Sequence, residues 1–197
     1  MSSARRFSPL LLAPVAALSL SACGLNSVPA AQEEAKAKWA DVQTQYQRRA
    51  DLVPNLVNTV KGFAAQEKSV LVEVTEARSK ASSIQLSAND LQDPAKVKAF
   101  SDAQAQLGQS LGRLLVTSER YPDLKSSANF MALQSQLEGT ENRIAIARRD
   151  YNEAVRAYNT LIRTFPDAIG AKIFHGAQPM TPFEAAASSA NAPTVQF

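Results

Sequence analysis

Residues 130–165 read FMALQSQLEGTENRIAIARRDYNEAVRAYNTLIRTF, and their spacing decides the fold. Phe130, Leu133, Leu137, Thr140, Ile144, Ala147, Tyr151, Ala154, Tyr158, Leu161 and Phe165 recur at alternating steps of three and four, with Pro166 ending the run. Such positions form one stripe along a helix, and the charged residues between them fall on the other faces. A second stripe lies upstream: Val97, Phe100, Gln104, Leu107, Leu111, Leu114, Ser118 and Tyr121, started by Asp93-Pro94 and ended by Pro122. Asp at an N-cap followed by Pro in the first turn is a helix start. Gly108 and Gly112 on its faces have the spacing of close helix packing. The longest stripe comes first: Ala35, Trp39, Val42, Tyr46, Arg49, Val53, Leu56, Val60, Phe63, Glu67, Val70, Val74, Ala77, Ala81 and Ile84. It passes through Pro54 without slipping register, which fits a kinked but continuous helix. Residues 33–84 as one helix would span about 78 Å at ~1.5 Å per residue, and that length favours a break with Pro54 opening a new segment. Either way the expected fold is all-α, an elongated up-and-down bundle of about four helical segments with a break or kink at Pro54.

The ends are different in kind. Arg5 and Arg6 precede an apolar run from Leu10 to Leu20, and Leu20-Ser21-Ala22 leads into Cys23, the chain's single cysteine. A charged region, a short apolar region and small residues at a processing site make a secretory signal peptide. A cysteine placed there resembles the bacterial lipobox, in which the thiol is acylated and becomes the new N-terminus. Residues 1–22 therefore read as a lipoprotein signal peptide and Cys23 as the lipid attachment site. Residues 23–32 read as a lipidated tether, 33–184 as the bundle domain, and 185–197, without acid or base, as a disordered tail. The run is shorter than the roughly 20 residues a membrane-spanning helix needs. Residues 167–184, mixing Gly, Pro, Phe and His, are expected to fold back on the bundle as loop.

Composition removes several function classes. The chain of 197 residues carries 21 Lys and Arg against 18 Asp and Glu, and two of the basic residues leave with the signal. The mature chain is then nearly neutral, without the basic face that nucleic-acid binding requires. Acylated Cys23 leaves no thiol for disulfide, redox or metal chemistry. His175 is the single histidine and lies outside the long stripes, so neither a nucleophile–base pair nor a zinc or di-metal site is indicated, and no cofactor is expected. Glu138 and Glu141, near Arg143, Arg148 and Arg149, read as ion-pairing partners. The informative charges are Arg49 and Glu67, which occupy stripe positions meant for the core. A charge there must be paired or must reach out to solvent. Expected partners are Glu138 or Glu141 for Arg49, and Arg143, Arg148 or Arg149 for Glu67, unless a fold-back at Pro54 brings the two together.

Several multi-residue stretches carry a family resemblance. They are Tyr46-Gln-Arg-Arg-Ala-Asp-Leu-Val-Pro-Asn-Leu-Val-Asn-Thr-Val-Lys-Gly-Phe, then Glu67 and Ala77-Arg78, then Tyr121-Pro-Asp-Leu-Lys and Asn129-Phe. Leu137-Glu-Gly-Thr-Glu-Asn-Arg-Ile, Ala147-Arg-Arg-Asp-Tyr-Asn, Tyr158-Asn and Phe165-Pro follow in order. Together these resemble the LemA family over residues 35–184. The resemblance implies a bacterial membrane-anchored helical bundle outside the cytoplasm and brings no reaction with it. A lipobox in place of the retained membrane helix of many members makes the anchor a lipid, and Gly24 after the cysteine is compatible with outer-membrane sorting. The expected function is a non-catalytic envelope lipoprotein whose bundle is an interaction or scaffold module for an unidentified envelope protein. Its candidate surface is Arg48, Arg49, Asp51, Asn55 and Lys61, with Glu67, Glu141, Arg148 and Arg149 as further interaction or polar-layer residues. The alternative is a sensor that binds a small molecule or peptide in a core cavity lined by Trp39, Tyr46, Tyr151 or Tyr158.

Overall fold

In the computed structural model the backbone is described from Leu12 to residue 184 and the side chains from residue 26 to residue 184. The side chain of Cys23, most of the signal-peptide reading and the tail 185–197 lie outside the described residues. Among the described residues six helices follow one another: α1 (Leu12–Phe63), α2 (Lys68–Ser83), α3 (Pro94–Ser118), α4 (Pro122–Lys125), α5 (Ala128–Leu161) and α6 (Asp167–Ile173), with a 3₁₀ turn at Ala88–Gln92. The fold is all-α, as the stripes require.

The first stripe divides at residues 64–67, not at Pro54. α1 runs unbroken past Pro54, and the tether residues 26–32 belong to it, with Val28 fully buried. A proline in mid-helix withholds one N–H and leaves the carbonyl four residues back without its donor. Here that carbonyl belongs to Ala50, and the Arg78 side chain of α2 supplies the missing bond, Nε donating at 2.8 Å. A cross-helix donor thus replaces the lost backbone bond, and the helix continues. The actual turn follows Phe63, where Ala64 N–H still reaches Val60 and Glu67 N–H reaches Ala64.

α2 returns antiparallel beside the second half of α1, and α3 turns back along α2. Asp93 caps α3 by accepting from the N–H groups of Ala95 and Lys96, as its Asp-Pro start implied. In the 3₁₀ turn Ser87 donates to the Asp90 carboxylate from both its backbone and its hydroxyl. After the α4 corner, α5 runs back along the bundle part of α1. It ends at Leu161, a turn before the proline that the sequence suggested as its stop. Gly112 is exposed with open space where a Cβ would sit, so it is no close-packing position; a Cβ on Gly108 would touch only the Arg49 guanidinium at 3.7 Å.

Because the α2–α3 hairpin reaches back only as far as Leu86 and Leu91, the other half of the bundle lacks a fourth helix. The chain after α6 fills that gap. Its expected fold-back is correct, although the segment includes α6 as well as loop. Residues 177–184 lie along α5, with Met180 and Phe183 buried among Trp39, Phe100 and Tyr151. The Thr181 N–H bonds the Leu91 carbonyl at 2.8 Å and ties this strap to the hairpin end. Two apolar cores result. One joins Val28, Trp39, Tyr46, Phe100, Tyr151 and Phe183; the other joins Val53, Val60, Val74, Leu107, Leu114 and Phe130.

Candidate functional site

Between the two cores lies a polar layer built on Arg49, which is 3% exposed. Its Nη1 donates to Glu141 Oε1 at 3.0 Å, and its Nη2 donates to Gln104 at both the backbone carbonyl (2.9 Å) and Oε1 (2.6 Å). Gln104 Nε2 in turn donates to the Ala81 carbonyl at 3.3 Å. The layer therefore joins α1, α3, α5 and α2 through one guanidinium and one amide. The Arg49 Cζ also stands 5.0 Å from the Tyr46 ring centroid, within cation–π range. Burial pushes the Tyr46 phenol up, against the opposing pull of Arg148 and Arg49. The Arg49 Nε is buried without a hydrogen-bond partner, so the layer satisfies most but not all of its donors.

The sequence-derived residues separate into groups on this frame. Arg49 meets Glu141, one of its two expected partners. Glu67 does not meet Arg143, Arg148 or Arg149: it caps the far end of the bundle, accepting from Arg120 Nη2 at 3.0 Å and from the Tyr121 hydroxyl at 2.7 Å. The reason is topological, since α1 does not fold back at Pro54 and Glu67 rides to the distal turn beside the end of α3. Arg148 instead lies 4.8 Å over the Phe183 ring and donates to the Glu184 carbonyl at 3.1 Å. Arg149 pairs with its neighbour Asp150. Arg48, Asp51, Asn55 and Lys61 are exposed on α1, so of the expected surface cluster only Arg49 turns inward.

Arg48, Gln47 and Asp51 border a cleft of about 620 Å³ between α1 and the α2–α3 hairpin, floored by Tyr46, Phe100 and Gln104. The rings expected to line an internal cavity pack against one another instead. Trp39 has its centroid 5.3 Å from Phe100, 5.4 Å from Tyr151 and 5.7 Å from Phe183. Phe183 thus occupies the space that the sensor reading assigned to a ligand.

Two sets of residues, quoted above for the family resemblance, have structural roles that the sequence reading did not assign. Arg78 is one, and the unpaired carbonyl that any mid-helix proline creates was the available signal. The other is the pair Tyr151-Asn152 and Tyr158-Asn159, a dipeptide repeated at a heptad spacing that puts both copies on one face of α5. Tyr151 and Tyr158 hydroxyls donate to the carbonyls of Thr181 and Gln178. Asn152 and Asn159 each bond the backbone of one strap residue twice, donating to its carbonyl and accepting from its N–H, at Phe183 and Met180 respectively. These four side chains hold an extended segment by its main chain. His175 lies just beyond α6, outside the long helices. No cluster of three or more metal-ligating side chains occurs among the described residues.

A helical bundle crossed by a buried arginine layer and closed by a C-terminal strap is the class of protein that fold and site define. The sequence pattern of the LemA family matches residues 38–197, and the chain belongs to that family. It is 29% identical to the magnetosome protein MamQ 2 of Paramagnetospirillum magneticum, over 72% of this chain and 58% of that one. It is 28% identical to MamQ of Magnetospirillum gryphiswaldense over the same shares. Protein LemA of Metamycoplasma hominis is 26% identical over 71% of this chain and 60% of its own length. The chain spans about three fifths of the length of these curated relatives.

Proposed function

We propose that this LemA-family chain is a non-catalytic, membrane-associated scaffold or interaction module, lipid-anchored through Cys23 at the bacterial cell envelope and facing away from the cytoplasm. In a host with two membranes the inner leaflet of the outer membrane is its place. The observation that carries the reading is the continuity of α1. Once residues 1–22 are removed, one helix still leads from Cys23 to Phe63, so the anchor and the bundle share a rigid axis. A bundle mounted in that way presents its sides at fixed heights above the bilayer. Arg48, Asp51 and Asn55, at steps of three and four, project together from the exposed side of α1. Charged groups at such a surface set partner choice through directional, charge-assisted bonds. Kinship to proteins named for the magnetosome supports a membrane setting.

The test is in-cell crosslinking and mass spectrometry of tagged protein, comparing wild type with Cys23→Ala and with the charge reversals Arg48→Glu and Asp51→Lys. Both reversals lie on exposed positions and leave the circular dichroism spectrum unchanged. Loss of a crosslinked envelope protein in the reversals is the expected result. Membrane fractionation that is identical for wild type and Cys23→Ala refutes the lipid anchor, and crosslinks insensitive to both reversals refute the surface.

A further inference from the structure

We propose that the apolar face formed by Phe165, Ile169, Ile173 and Phe174 docks on the lipid bilayer, a second membrane contact that fixes the bundle's orientation. This rests on the membrane anchoring argued above. The four side chains are 72%, 52%, 68% and 62% exposed, and they lie within ten residues of one another at and around α6. Ile169 and Ile173 are one turn apart and share the outward side of α6, while Gly170 and Ala171 face inward and are buried. The other exposed large apolar side chains among the described residues, Phe63, Val72, Val116, Met131 and Ile146, are spread singly along the chain, whereas these four fall within ten residues. Such patches mark interaction sites.

The occupant follows from where the patch sits. α6 is fastened to the membrane-proximal part of α1: Asp167 accepts from the Ser27 hydroxyl at 2.5 Å. Ser27 is four residues from Cys23 along a continuous helix, about 6 Å at ~1.5 Å per residue. A patch that close to the anchor is within reach of the headgroup layer, where the apolar face of an interfacial helix buries ~5–10 Å deep. Exposed Arg163 and Lys172 flank the patch and match the negative potential of an anionic leaflet, while Asp167 is turned inward onto Ser27. Phe63, also exposed, lies at the opposite end of α1, 36 residues and about 54 Å from Ser27. It serves as the internal control.

The experiment reconstitutes full-length protein into phosphatidylethanolamine–phosphatidylglycerol vesicles, a fraction of whose lipids carry bromine near the headgroup end of the acyl chains. Flotation reports the anchor; quenching of an introduced tryptophan reports the docking face. With the native Trp39 signal, measured on wild type in the same vesicles, subtracted, Phe174→Trp fluorescence is expected to fall at least twofold in brominated vesicles, with Phe63→Trp unchanged. Ile169→Asp with Ile173→Asp in the Phe174→Trp chain is expected to abolish the quenching while thermal unfolding stays the same, since both sites are exposed. Protein that floats with the vesicles yet shows no quenching at residue 174 overturns the docking face and leaves the anchor standing. Equal quenching at residues 63 and 174 overturns it as well, because the bundle then lies flat. Protein that fails to float overturns both readings. A crosslink between residues 174 of two copies, without quenching, assigns the patch to self-association and refutes the bilayer.

Discussion

Arg49→Ala tests the energetics of the polar layer most directly. The substitution removes three donated hydrogen bonds and the stem that fills the space between the two cores. The losses are unequal. Glu141 has a side chain 45% exposed, so it regains water once its partner is gone. Gln104 is 6% exposed, and its Oε1 is left buried without the donor it had at 2.6 Å. An orphaned buried acceptor costs about 1–3 kcal/mol, and the lost charge-assisted bond and packing bring the total to about 3–5 kcal/mol. Glu141→Gln keeps an acceptor for Arg49 Nη1 and both bonds to Gln104 and gives up only the charge of a half-exposed partner, so it costs about 1–2 kcal/mol. At ~2–4 °C per kcal/mol for a domain of this size, Arg49→Ala lowers Tm by roughly 6–20 °C and Glu141→Gln by roughly 2–8 °C. Urea unfolding followed by far-ultraviolet circular dichroism measures both, and the Arg49→Met, Gln104→Leu double variant recovers most of the loss by removing donor and acceptor together. Equal costs for Arg49→Ala and Glu141→Gln, or a cost under about 1 kcal/mol for Arg49→Ala, would refute the view that Gln104 is the partner that matters.

Three further outcomes rest on other contacts of the bundle. Arg78→Ala orphans the Ala50 carbonyl and costs about 1–3 kcal/mol, whereas in the Pro54→Ala background, where residue 54 regains its N–H, the cost falls below about 1 kcal/mol; a double-mutant cycle by chemical denaturation reads the coupling. Phe183→Ala empties the space against Trp39, Phe100 and Tyr151 and costs about 3–5 kcal/mol, with hydrogen exchange of the Met180 and Phe183 amides accelerating before that of α5. Burial pushes the Tyr151 phenol above its ordinary value of 10.0 while its hydroxyl donates to Thr181. The unfolded chain therefore releases that proton first, so stability is level below about pH 10 and falls as pH rises above it. Tyr151→Phe flattens part of that fall in a pH series of denaturation curves.

The helices were legible because burial repeats. Each stripe places an apolar side chain every three or four residues, and a missing element leaves that signal unaltered. The capping of α3 by Asp93-Pro94 was legible for the same local reason. The break in the first stripe was not, because the register runs on through both the expected site and the actual turn: Pro54 sits between buried Val53 and Leu56, and Glu67, in the turn itself, occupies a stripe position with 17% of its side chain exposed. Which of the two interrupts the helix depends on a long-range contact, the bond from Arg78 to the Ala50 carbonyl. Periodicity carries no information about a donor 28 residues away. The same limit explains Glu67. Its partners Arg120 and Tyr121 become neighbours only once α2 and α3 are known to be a hairpin closing at that end.

The strap shows why a side chain's spacing can announce a structure that its own segment conceals. Residues 177–184 have no helical period and read as loop, yet their course is set from outside by α5. Tyr151, Asn152, Tyr158 and Asn159 occur as two identical pairs seven residues apart, and seven residues return a helix to nearly the same face. Tyr151 and Tyr158 place their rings in the core and their hydroxyls at its rim, where burial without a partner would cost free energy. An extended segment running along that face meets the requirement, because its carbonyls and N–H groups come at regular intervals and the two asparagines each match one residue's pair. Main-chain bonds fix the path of the strap without regard to side-chain identity, and Met180 and Phe183 then point inward, where the short α2–α3 hairpin leaves Trp39 and Phe100 uncovered. The requirement for a peptide partner is thus written in α5, while the segment that meets it lies beyond Pro166 and shows only two apolar residues three apart.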